Sequence, residues 1–536
     1  MIKEYKKSFF ENKGGAEKTL LEILISDGVQ IPSDCGGRGN CGKCRVRILE
    51  GELSEASSEE KRLLPENERA EGWRLACKTY PVGDLRIFVP LSDENDVSLK
   101  SEMIHLPSWF SPDERNAEKK EYGFAVDIGT TTVGVVLWDL NRGIFLGAEA
   151  ASNPQGRYGS DVLRRISYCM ENEEGFFQLQ ALILGTLQSL FLKLVLKNGL
   201  SAEDVRAVSV AGNPTMLHFF MGKDPRGLAL APFSPAFSFS QDTTSLNQEL
   251  KIGKEARVHL LPQIGGHVGG DTVAAFLAAA PDPVAKTTLV LDIGTNGEML
   301  LCGKGRMLAC SAAAGPAFEG AVISRGMRAS LGAIQGCRIT EKGEVEIQVI
   351  GGGKPVGICG SGLIEAVSAL LDAGLIDDSG KLLSRKEAKE KGGFPVKLVE
   401  RLSTEGAEIR FALHEDLCLT QKDIRELQLA KGAISTGIRL LREELGIREE
   451  EIDSVILTGA FGAFLPVAGS VRVGLIPRLL KDKVCLLQNG AMVGASLSLL
   501  SEEQRLKADR VAEKIEMVEL SLHPLFQETF LNSLGF

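Results

Sequence analysis

Two stretches of the chain repeat one arrangement of hydrophobic and polar positions. An apolar run at 123–126 leads into a polar turn, and a second apolar run follows at 133–137. The same order recurs at 288–291 and 298–301, again with a polar turn between the two runs. Short apolar runs on either side of a glycine-containing turn are typical of two tightly joined strands. The pattern therefore predicts a strand, turn and strand unit that occurs twice.

The two turns share residue types suited to a metal-bound polyphosphate. They read Asp-Ile-Gly-Thr-Thr-Thr from position 127 and Asp-Ile-Gly-Thr-Asn-Gly from position 292. A carboxylate can hold Mg²⁺ through water, glycine allows close backbone approach, and hydroxyl and N–H groups donate to phosphate oxygens. One such turn closes many ordinary hairpins, so the prediction rests on the repetition. The predicted nucleotide clamp comprises Asp127, Gly129, Thr130, Thr131, Thr132, Asp292, Gly294, Thr295 and Asn296.

Two further glycine-rich stretches fit the same site. A buried strand at 455–458 leads into Gly-Ala-Phe-Gly, and the backbone at Gly459 and Gly462 suits a flat base. Asp271 follows two glycines at a predicted helix start. It either caps that helix, which needs no function, or positions water or Mg²⁺ beside the phosphates. The sequence leaves both interpretations of Asp271 open.

The remaining periodicity predicts helices and strands around these turns. Helices are predicted at 162–171 and 177–197, and the second is interpreted as a buried amphipathic helix rather than a membrane span. A strand at 205–210 leads into Gly-Asn-Pro, so Asn213 marks either a ligand-binding sheet edge or an ordinary turn. His218 lies among apolar residues and is interpreted as a core or surface histidine.

The composition is that of a soluble globular protein with about two to four domains. The chain has 536 residues, of which 44% are hydrophobic and 25% charged, with a net charge of −10 and a pI near 5.4. This acidic balance argues against nucleic acid as a general partner and predicts no preference for a membrane surface. The N-terminus lacks an apolar core of signal-peptide length, and 11 cysteines without an export signal predict reduced thiols in the cytoplasm.

Four cysteines lie within the first 80 residues, at Cys35, Cys41, Cys44 and Cys77. Four thiolates complete the coordination of a [2Fe–2S] cluster, and the glycines between them allow tight turns that aim N–H groups at sulfur. The alternative is a structural Zn²⁺ site, but such sites usually pair two Cys-x2–4-Cys knuckles. The spacing resembles that of adrenodoxin-like and related ferredoxins, which have a β-grasp fold. The seven other cysteines lie in apolar sequence and are interpreted as small buried hydrophobes.

These features divide the chain into four segments. Residues 1–90 form the predicted [2Fe–2S] ferredoxin-like domain, and 122–285 and 286–536 are two further segments that each contain one of the paired turns. Residues 91–121 lack periodicity and are rich in Ser, Pro and charged residues, which is typical of a linker. The linker either lets the iron–sulfur unit move or docks rigidly on the next domain.

The paired turns and the later Thr-Gly-x-x-Gly element resemble the superfamily of acetate and sugar kinases, heat-shock chaperones and actin. The resemblance covers about 122–500 and implies two RNase-H-like lobes that close on ATP. The implied fold class is α/β multidomain, with an N-terminal β-grasp ferredoxin-like domain and a two-lobed RNase-H-like ATPase. The predicted catalytic carboxylates are Asp127, Asp271 and Asp292, and the predicted adenosine turn contains Gly459 and Gly462.

Nearly the full length resembles the reductive activators of corrinoid-dependent methyltransferases. The resemblance rests on stretches such as Gly-Asn-Pro-Thr-Met at 212–216, Gly-Pro-Ala-Phe-Glu-Gly at 315–320 and Gln-Lys-Asp-Ile-Arg-Glu at 421–426. Two departures are notable. The predicted linker is too short for the small extra domain that some relatives carry between ferredoxin and ATPase. Archaeal relatives carry a C-terminal tail with Cys-x2-Cys repeats, whereas the last cysteine of this sequence is Cys485.

This resemblance implies that ATP and Mg²⁺ bind between the lobes and that a [2Fe–2S] cluster passes one electron to the inactive Co(II) of a partner corrinoid protein. It also implies an electron donor, such as a ferredoxin, flavodoxin or reductase, and it allows a homodimer. Three alternatives stay open. They are an electron donor like the activators of 2-hydroxyacyl-CoA dehydratases, a small-molecule kinase with a redox-sensing domain, and a chaperone-like ATPase with a structural cysteine domain.

Overall fold

In the residues that it describes, the computed structural model of the protein has two six-stranded sheets, one four-stranded sheet and two three-stranded sheets. The residues that it describes are 2–5, 18–27, 29, 31, 33, 35–90, 104–115, 120–320, 322–415, 417–462 and 464–536. Residues 6–10, whose apolar pattern predicts a short strand in the ferredoxin-like domain, lie outside the described residues, and so do 91–103 and 116–119 of the predicted linker.

The N-terminal part of the chain is an antiparallel four-stranded sheet with one helix packed on it. Its elements are β1 Ile2–Tyr5, α1 Leu20–Ser26, β2 Arg45–Leu53, α2 Ser58–Leu63, α3 Glu66–Ala70, β3 Trp73–Leu75 and β4 Pro81–Phe88. The strand order is β1-β4-β2-β3. Helix α1 begins after Thr19, whose hydroxyl accepts from the N–H of Glu22 while the Glu22 carboxylate accepts from the N–H of Thr19. The apolar face of α1 then packs on Val46 and Leu75, both fully buried.

A six-stranded sheet and its helices, which we call the first lobe, follow. The elements are β5 Tyr122–Ile128, β6 Thr132–Asp139, β7 Ile144–Ser152, α4 Val162–Glu171, α5 Gly175–Lys197, β8 Val205–Gly212, α6 Pro214–Met221, β9 Gln241–Thr243, α7 Asn247–Leu250, β10 Arg257–Leu260 and α8 Gly270–Ala279. The strand order is β7-β6-β5-β8-β10-β9. Strands β5, β6 and β7 are antiparallel, whereas β8 and β10 run parallel to β5. The first predicted turn therefore joins β5 to β6.

Helix α5 is the core helix of the first lobe. It is long and apolar enough to pass a length and composition test for a membrane span, with a mean hydropathy of 1.7. Its apolar face nevertheless packs on the sheet, where the rings of Phe191 and Phe124 stack with centroids 4.0 Å apart. The predicted buried amphipathic helix is therefore confirmed. His218 on α6 is also confirmed as a core residue, because its Nε2 accepts from the N–H of Ala236 at 2.8 Å in a fully buried position.

The second half of the chain contains the remaining three sheets. Its strands are β11 Thr288–Ile293, β12 Gly297–Gly303, β13 Arg306–Ala312, β14 Ala333–Ile339, β15 Val345–Val349, β16 Gly357–Ile358, β17 Leu402–Glu405, β18 Glu408–His414, β19 Leu417–Thr420, β20 Ser454–Thr458, β21 Val484–Leu486 and β22 Ile515–Met517. The large sheet has the order β21-β20-β11-β12-β13-β22, so its hairpins and parallel neighbours follow the order of the first lobe. We call this sheet and its helices the second lobe.

Helices fill the second lobe around one long buried helix. They are α9 Gly360–Asp372, α10 Arg385–Lys391, α11 Val396–Glu400, α12 Gln421–Leu445, α13 Gly459–Gly462, α14 Val467–Arg472, α15 Gly490–Leu500, α16 Glu502–Lys514 and α17 Phe526–Asn532. Helix α12 begins after Thr420, which forms a capping box with Asp423 as the sequence predicts. Its inward face packs in the core against Leu301 and Leu308 of the large sheet.

Helices α8 and α15 join the two lobes. They touch backbone to backbone, because a Cβ at Gly494 would overlap the Ala274 carbonyl. Helix α15 also packs on the first-lobe sheet, where Trp138 donates its indole N–H to the Ser496 hydroxyl at 3.1 Å. Helix α15 therefore belongs to the second half of the chain but completes the core of the first lobe.

The described part of the predicted linker packs on the lobes. Ile104 is buried in the core shared by α8 and α15. The N–H of Asp113 donates to the Leu500 carbonyl at 3.0 Å, and the Asp113 carboxylate accepts from the N–H of Glu502 at 2.8 Å. Of the two interpretations of the linker, docking describes residues 104–115.

Candidate functional site

The first turn, residues 127–132, has a tight backbone conformation between β5 and β6. The N–H of Gly129 donates to the Thr132 carbonyl at 2.9 Å, and a Cβ at Gly129 would lie 2.7 Å from that oxygen. Glycine is therefore required at this position. Asn153, just after β7, holds the turn from outside by donating its side-chain amide to the Gly129 carbonyl at 2.9 Å and its N–H to the Thr131 carbonyl at 2.8 Å.

Thr130 is the buried centre of the first turn, and two side chains from other elements hold it. The Asn213 amide donates to the Thr130 hydroxyl at 3.0 Å, and the Arg165 guanidinium donates to the Thr130 carbonyl at 2.5 Å. The Asn213 side chain also accepts from the N–H of Met216 at 3.0 Å and so caps α6. Asn213 is therefore a helix cap and a contact of the first turn at the same time.

The second turn, residues 292–297, lies between β11 and β12. The N–H of Gly294 donates to the Asn296 carbonyl at 2.9 Å, which closes the turn. The register of the hairpin places Asp292 opposite Glu298 on the neighbouring strand. The second turn therefore carries two carboxylates where its strands begin to separate.

The predicted adenosine turn packs against the second turn. Gly459 has a φ of 92° and touches the Asp292 carboxylate so closely that a Cβ would overlap Oδ1. By contrast, the nearest atom to a Cβ at Gly462 would be 3.6 Å away, an ordinary contact. The Thr458 hydroxyl accepts from the N–H of Gly490 at 3.0 Å and thereby ties this turn to α15. The start of α15 and the predicted adenosine turn therefore meet close to Asp292.

The two turns face each other across the cleft between the lobes. The hydroxyl oxygens of Thr131 and Thr295 are 3.4 Å apart, and both hydroxyls donate to the carboxylate of Glu319, at 2.8 Å in the case of Thr131. Glu319 is only 9% exposed and follows the fully buried Phe318. One buried carboxylate of the second lobe therefore joins hydroxyls from both lobes.

Four carboxylates gather behind these hydroxyls and raise one another's pKa values. Burial, assisted by the charge of Asp271, raises the pKa of Asp127 to about 7. Burial and the charges of Asp271 and Asp127 raise the pKa of Asp292 to about 8. Burial raises the pKa of Asp271 to about 6, although hydrogen bonds from Thr272 oppose the rise. Burial and the charges of Asp271 and Asp292 raise the pKa of Glu298 well above its usual range. In the described residues no three metal-ligating side chains converge on one ion position, so these carboxylates could hold a hard divalent cation only through bound water.

Asp271 does not cap α8, so that interpretation is wrong. The cap position belongs to Gly269, and Asp271 lies in the first turn of the helix. Its carboxylate accepts from the N–H of Thr272 at 2.7 Å. The start of α8 lies directly against the end of β8. Glycine allows this close approach, because a Cβ at Gly269 would lie only 2.7 Å from the Gly212 carbonyl oxygen.

The four predicted cluster ligands form two pairs of thiols. The sulfurs of Cys35 and Cys41 are 3.4 Å apart, and Cys44 interacts with Cys77 in the same way. The hydrogen bond from Cys41 lowers the pKa of Cys35 to about 4, and the one from Cys44 lowers the pKa of Cys77. In the described part of the chain, no three metal-ligating side chains converge on one ion position. Two separate pairs match two irons with two thiolates each and do not match one tetrahedral Zn²⁺.

The loop that carries these thiols, residues 35–44, is built from glycines in left-handed conformations. Gly36, Gly37, Gly39 and Gly42 have φ values of 61°, 85°, 77° and 68°. The resulting turns bring backbone N–H groups towards sulfur, and the N–H of Asn40 points at Cys35 Sγ from 3.5 Å. Three of the four cysteines are buried and Cys41 is half-buried, so this donor set fits a [2Fe–2S] cluster shielded from water.

The seven other cysteines do not all behave as predicted. Four are buried, and Cys169 and Cys418 are half-buried. Cys485 on β21 is exposed, so the prediction of a buried hydrophobe is wrong there. Strand β21 is the edge strand of the large sheet, where a side chain can point to solvent.

Three residues of this region were not among the predicted site residues. The register of the β11 and β12 hairpin would have revealed Glu298, because it pairs directly with Asp292 across the second turn. Glu319 reaches the turns from a loop after β13, and Arg165 reaches them from α4. Neither has a local sequence pattern that marks its destination, because each makes its contact far along the chain.

Known protein families match the chain in three consecutive parts. Residues 7–82 match the 2Fe-2S iron-sulfur cluster binding domain, 122–282 match the RACo middle region, and 286–536 match the C-terminal domain of RACo, the ASKHA domain. The last of these is the superfamily of acetate and sugar kinases, heat-shock chaperones and actin. The predicted fold class is therefore confirmed.

Individual relatives extend this match to almost the whole length. The corrinoid activation enzyme RamQ of Eubacterium limosum is 31% identical over 97% of this chain and 96% of its own. The [Co(II) methylated amine-specific corrinoid protein] reductase of Methanosarcina barkeri is 26% identical over 77% of this chain and 75% of its own. A solved structure titled as a reductive activator for corrinoid, iron-sulfur protein is 31% identical, with a TM-score of 0.70 over 97% of this chain and 96% of that one. The chain thus belongs to the family of ATP-dependent, iron–sulfur reductive activators of corrinoid proteins.

Proposed function

We propose that this protein restores the active Co(I) state of a partner corrinoid protein at the expense of ATP. One electron passes from a cellular reductant, through the cysteine-bound [2Fe–2S] cluster, to the inactive Co(II) of the partner, which becomes Co(I). The observation that carries the proposal is that one chain holds two thiol pairs and two facing phosphate turns. The relatives that match the chain most fully have names that describe corrinoid activation and Co(II) reduction.

In this proposal, ATP and Mg²⁺ bind between the two turns. Asp127, Asp271 and Asp292 hold the hydrated cation and orient the attacking water, and Glu298 adds a fourth carboxylate. Burial first, and neighbouring charge for Asp127, Asp292 and Glu298, raises these pKa values, and a divalent ion would favour the ionised carboxylates instead of protons. The proposed contacts to the nucleotide are Gly129, Thr130, Thr131, Thr132, Gly294, Thr295, Asn296, Gly459 and Gly462.

The carboxylate of Glu319 gives ATP a means to change the cleft. The hydroxyls of Thr131 and Thr295 donate to Glu319 and hold the lobes together at that point. Phosphate oxygens of ATP compete with Glu319 for the same two hydroxyl donors. ATP binding therefore replaces hydrogen bonds between the lobes with hydrogen bonds to phosphate. A ligand shifts such an equilibrium only by its differential affinity for the two states. The proposed role of ATP is to favour the arrangement that binds the partner and alters the ligation, and so the potential, of its cobalt.

The cysteine loop supplies a one-electron carrier for this step. Cys35 and Cys41 would hold one iron and Cys44 and Cys77 the other, as their pairing supports. The proposed reductant is a ferredoxin, a flavodoxin or a reductase, and the proposed location is the cytoplasm. The proposal includes the four segments 1–90, 91–121, 122–285 and 286–536 as ferredoxin-like domain, linker and two lobes, and it allows a homodimer.

A direct test combines the protein, a low-potential reductant and a Co(II) corrinoid protein, and follows Co(I) by visible absorbance with and without ATP. We expect Co(I) to form only when ATP is present. Equal rates without ATP would contradict the coupling, and zinc rather than iron in the purified protein would contradict the electron path. Phosphorylation of a small molecule in place of corrinoid reduction would indicate a kinase.

Two variants separate the two halves of the mechanism in that assay. Cys41→Ala should abolish the cluster absorbance and Co(I) formation while ATP hydrolysis persists. Asp127→Ala should abolish ATP hydrolysis while the cluster absorbance persists. The matched control is Cys485→Ala, which removes an exposed thiol far along the chain and should change neither activity. Loss of both activities in either variant would indicate misfolding, which the thermal midpoint would reveal.

A further inference from the structure

Arg165 on α4 is a fully buried cation that joins three separate segments. Its guanidinium donates to the Thr130 carbonyl at 2.5 Å, to the Gly159 carbonyl at 2.9 Å and to the Gln155 side-chain oxygen at 3.0 Å. The side chain is 1% exposed, and these three acceptors are uncharged oxygens. The planar guanidinium holds its acceptors in a fixed geometry. Arg165 therefore fixes the position of the first turn relative to residues 154–159.

The cysteine loop rests on that same segment. Gly36, with a φ of 61°, lies against the backbone of Tyr158, and a Cβ there would be 2.8 Å from the Tyr158 carbonyl oxygen. Arg38 forms an ion pair with Glu171 at the end of α4, with 3.0 Å between Nη2 and Oε1. The Tyr158 carbonyl lies against Gly36 of the loop, and the carbonyl of the next residue, Gly159, accepts from Arg165. A short packed path thus connects the cysteines to the first turn.

A second contact joins the cysteine loop to the opposite lobe. The ammonium group of Lys43 donates to the Gly326 carbonyl at 3.5 Å. Gly326 packs directly on Gly320, because a Cβ at 326 would overlap the Gly320 carbonyl. Gly320 follows Glu319, the carboxylate that accepts from hydroxyls of both turns. The loop therefore contacts both lobes, in each case next to a residue whose neighbour is joined by hydrogen bonds to one of the turns.

We propose that Arg165 is a positioning residue that couples nucleotide at the first turn to the seating of the cysteine loop. The inference rests on the proposed function, because it requires ATP at the first turn. When phosphate draws Thr130 and Thr131 towards it, the Thr130 carbonyl moves with them. A close-packed interior passes such displacements on rather than absorbing them. Arg165 carries the displacement to Gly159 and so to the surface under Gly36, and nucleotide thereby controls how firmly the cysteine loop is held.

Hydrogen–deuterium exchange on the full-length, cluster-loaded protein tests this coupling without any corrinoid partner. Exchange is measured with Mg²⁺ alone and with Mg²⁺ and a non-hydrolysable ATP analogue. In the unsubstituted protein, we expect the analogue to change exchange at 127–132 and at 35–44. In Arg165→Lys, which keeps the charge but loses the planar fork, the change at 127–132 persists and the change at 35–44 is lost. Arg164→Lys, the same substitution one residue earlier on α4, should behave like the unsubstituted protein.

An exposed pair provides a second test that does not depend on a buried substitution. Arg38→Glu opposes Glu171 and should release the cysteine loop in both nucleotide states, and adding Glu171→Arg should restore the ion pair. For a pair of this exposure, we expect the exchange equilibrium at 35–44 to shift by about twofold to fivefold. The two equilibria are thermodynamically linked. The factor by which the analogue changes the seating equilibrium of the loop equals the factor by which seating of the loop changes the affinity for the analogue.

Two results would overturn the inference. The first is no change at 35–44 when the analogue binds the unsubstituted protein. The second is an unchanged nucleotide response at 35–44 in a folded Arg165→Lys protein. If that variant loses its cluster or its thermal transition, the Arg38 and Glu171 pair decides the matter alone. Failure of the proposed function is distinguishable, because it would appear as absent ATP-dependent Co(I) formation whatever the exchange at 35–44.

Discussion

The two facing turns, 127–132 and 292–297, have similar backbone arrangements but differ in their neighbours. Both join antiparallel strands of equivalent sheets, and both close with a hydrogen bond from the glycine after the acidic strand end. Opposite Asp127 lies Gly134, whereas opposite Asp292 lies Glu298. The same local sequence therefore creates a turn with one carboxylate in the first lobe and a turn with two in the second.

The surroundings of the turns extend this difference. Polar side chains, Asn213 and Arg165, hold the first turn, and Arg165 leads on to the segment beneath the cysteine loop. A glycine backbone, Gly459, presses on Asp292 in the second turn. We infer that the second turn mainly concentrates negative charge for a cation, while the first turn also communicates with the electron carrier. A repeated motif fixes backbone geometry, and its neighbours decide what each copy does.

The largest effect is expected from a substitution that disrupts the contact between Gly459 and the Asp292 carboxylate of the second turn. Gly459→Ala places a Cβ on the Asp292 carboxylate at a φ of 92°, where both the conformation and the space disfavour it. Overpacking and the left-handed conformation together should lower the free energy of unfolding by about 2–4 kcal/mol. The displaced Asp292 carboxylate should also weaken the binding of an ATP analogue, which calorimetry measures. Gly462→Ala is the control, since its Cβ makes only ordinary contacts and binding should persist. Equal affinities in the two variants would contradict the role assigned to Gly459.

A smaller effect is expected when the extra carboxylate of the second turn is neutralised. Burial and the charges of Asp271 and Asp292 raise the pKa of Glu298 well above its usual range, which favours its neutral form when no metal is bound, and Glu298→Gln replaces it with an isosteric neutral group. The free energy of unfolding without Mg²⁺ should therefore change by less than about 1 kcal/mol. The Mg²⁺ affinity in the presence of ATP should fall by about tenfold or more, measured by metal titration of ATP hydrolysis. An unchanged Mg²⁺ affinity would contradict the proposal that the second carboxylate of this turn contributes to Mg²⁺ binding.

The smallest effect tests the polar support of the first turn. Asn213→Ser keeps a good helix cap but loses the amide that donates to Thr130. Loss of that hydrogen bond should cost about 1 kcal/mol, so the affinity for an ATP analogue should fall by about fivefold. The thermal midpoint should stay close to that of the unsubstituted protein because the cap remains. A large drop in the midpoint with unchanged affinity would assign Asn213 to stability alone.

Local sequence predicts the elements of this protein well and its long-range contacts poorly. Capping residues such as Thr420 and apolar runs beside the turns act within a few positions, so their pattern predicts structure directly. Asp271 failed as a cap because a neighbouring glycine, Gly269, makes the closest approach to β8 and takes that position. Arg165 and Glu319 could not be predicted, because each is buried by contacts more than 30 positions away, as the 35-residue separation of Arg165 and Thr130 illustrates.

Helix α15 has a consequence for how the chain can be divided. The family match for the first lobe ends at residue 282, whereas α15 lies at Gly490–Leu500 and packs on the sheet of that lobe. A polypeptide ending near 282 would leave Trp138 without the Ser496 hydroxyl and would expose the apolar sheet face that α15 covers. Such a fragment should aggregate unless a peptide equivalent to α15 is supplied in trans, which makes split-protein complementation a natural assay for assembly of the lobes.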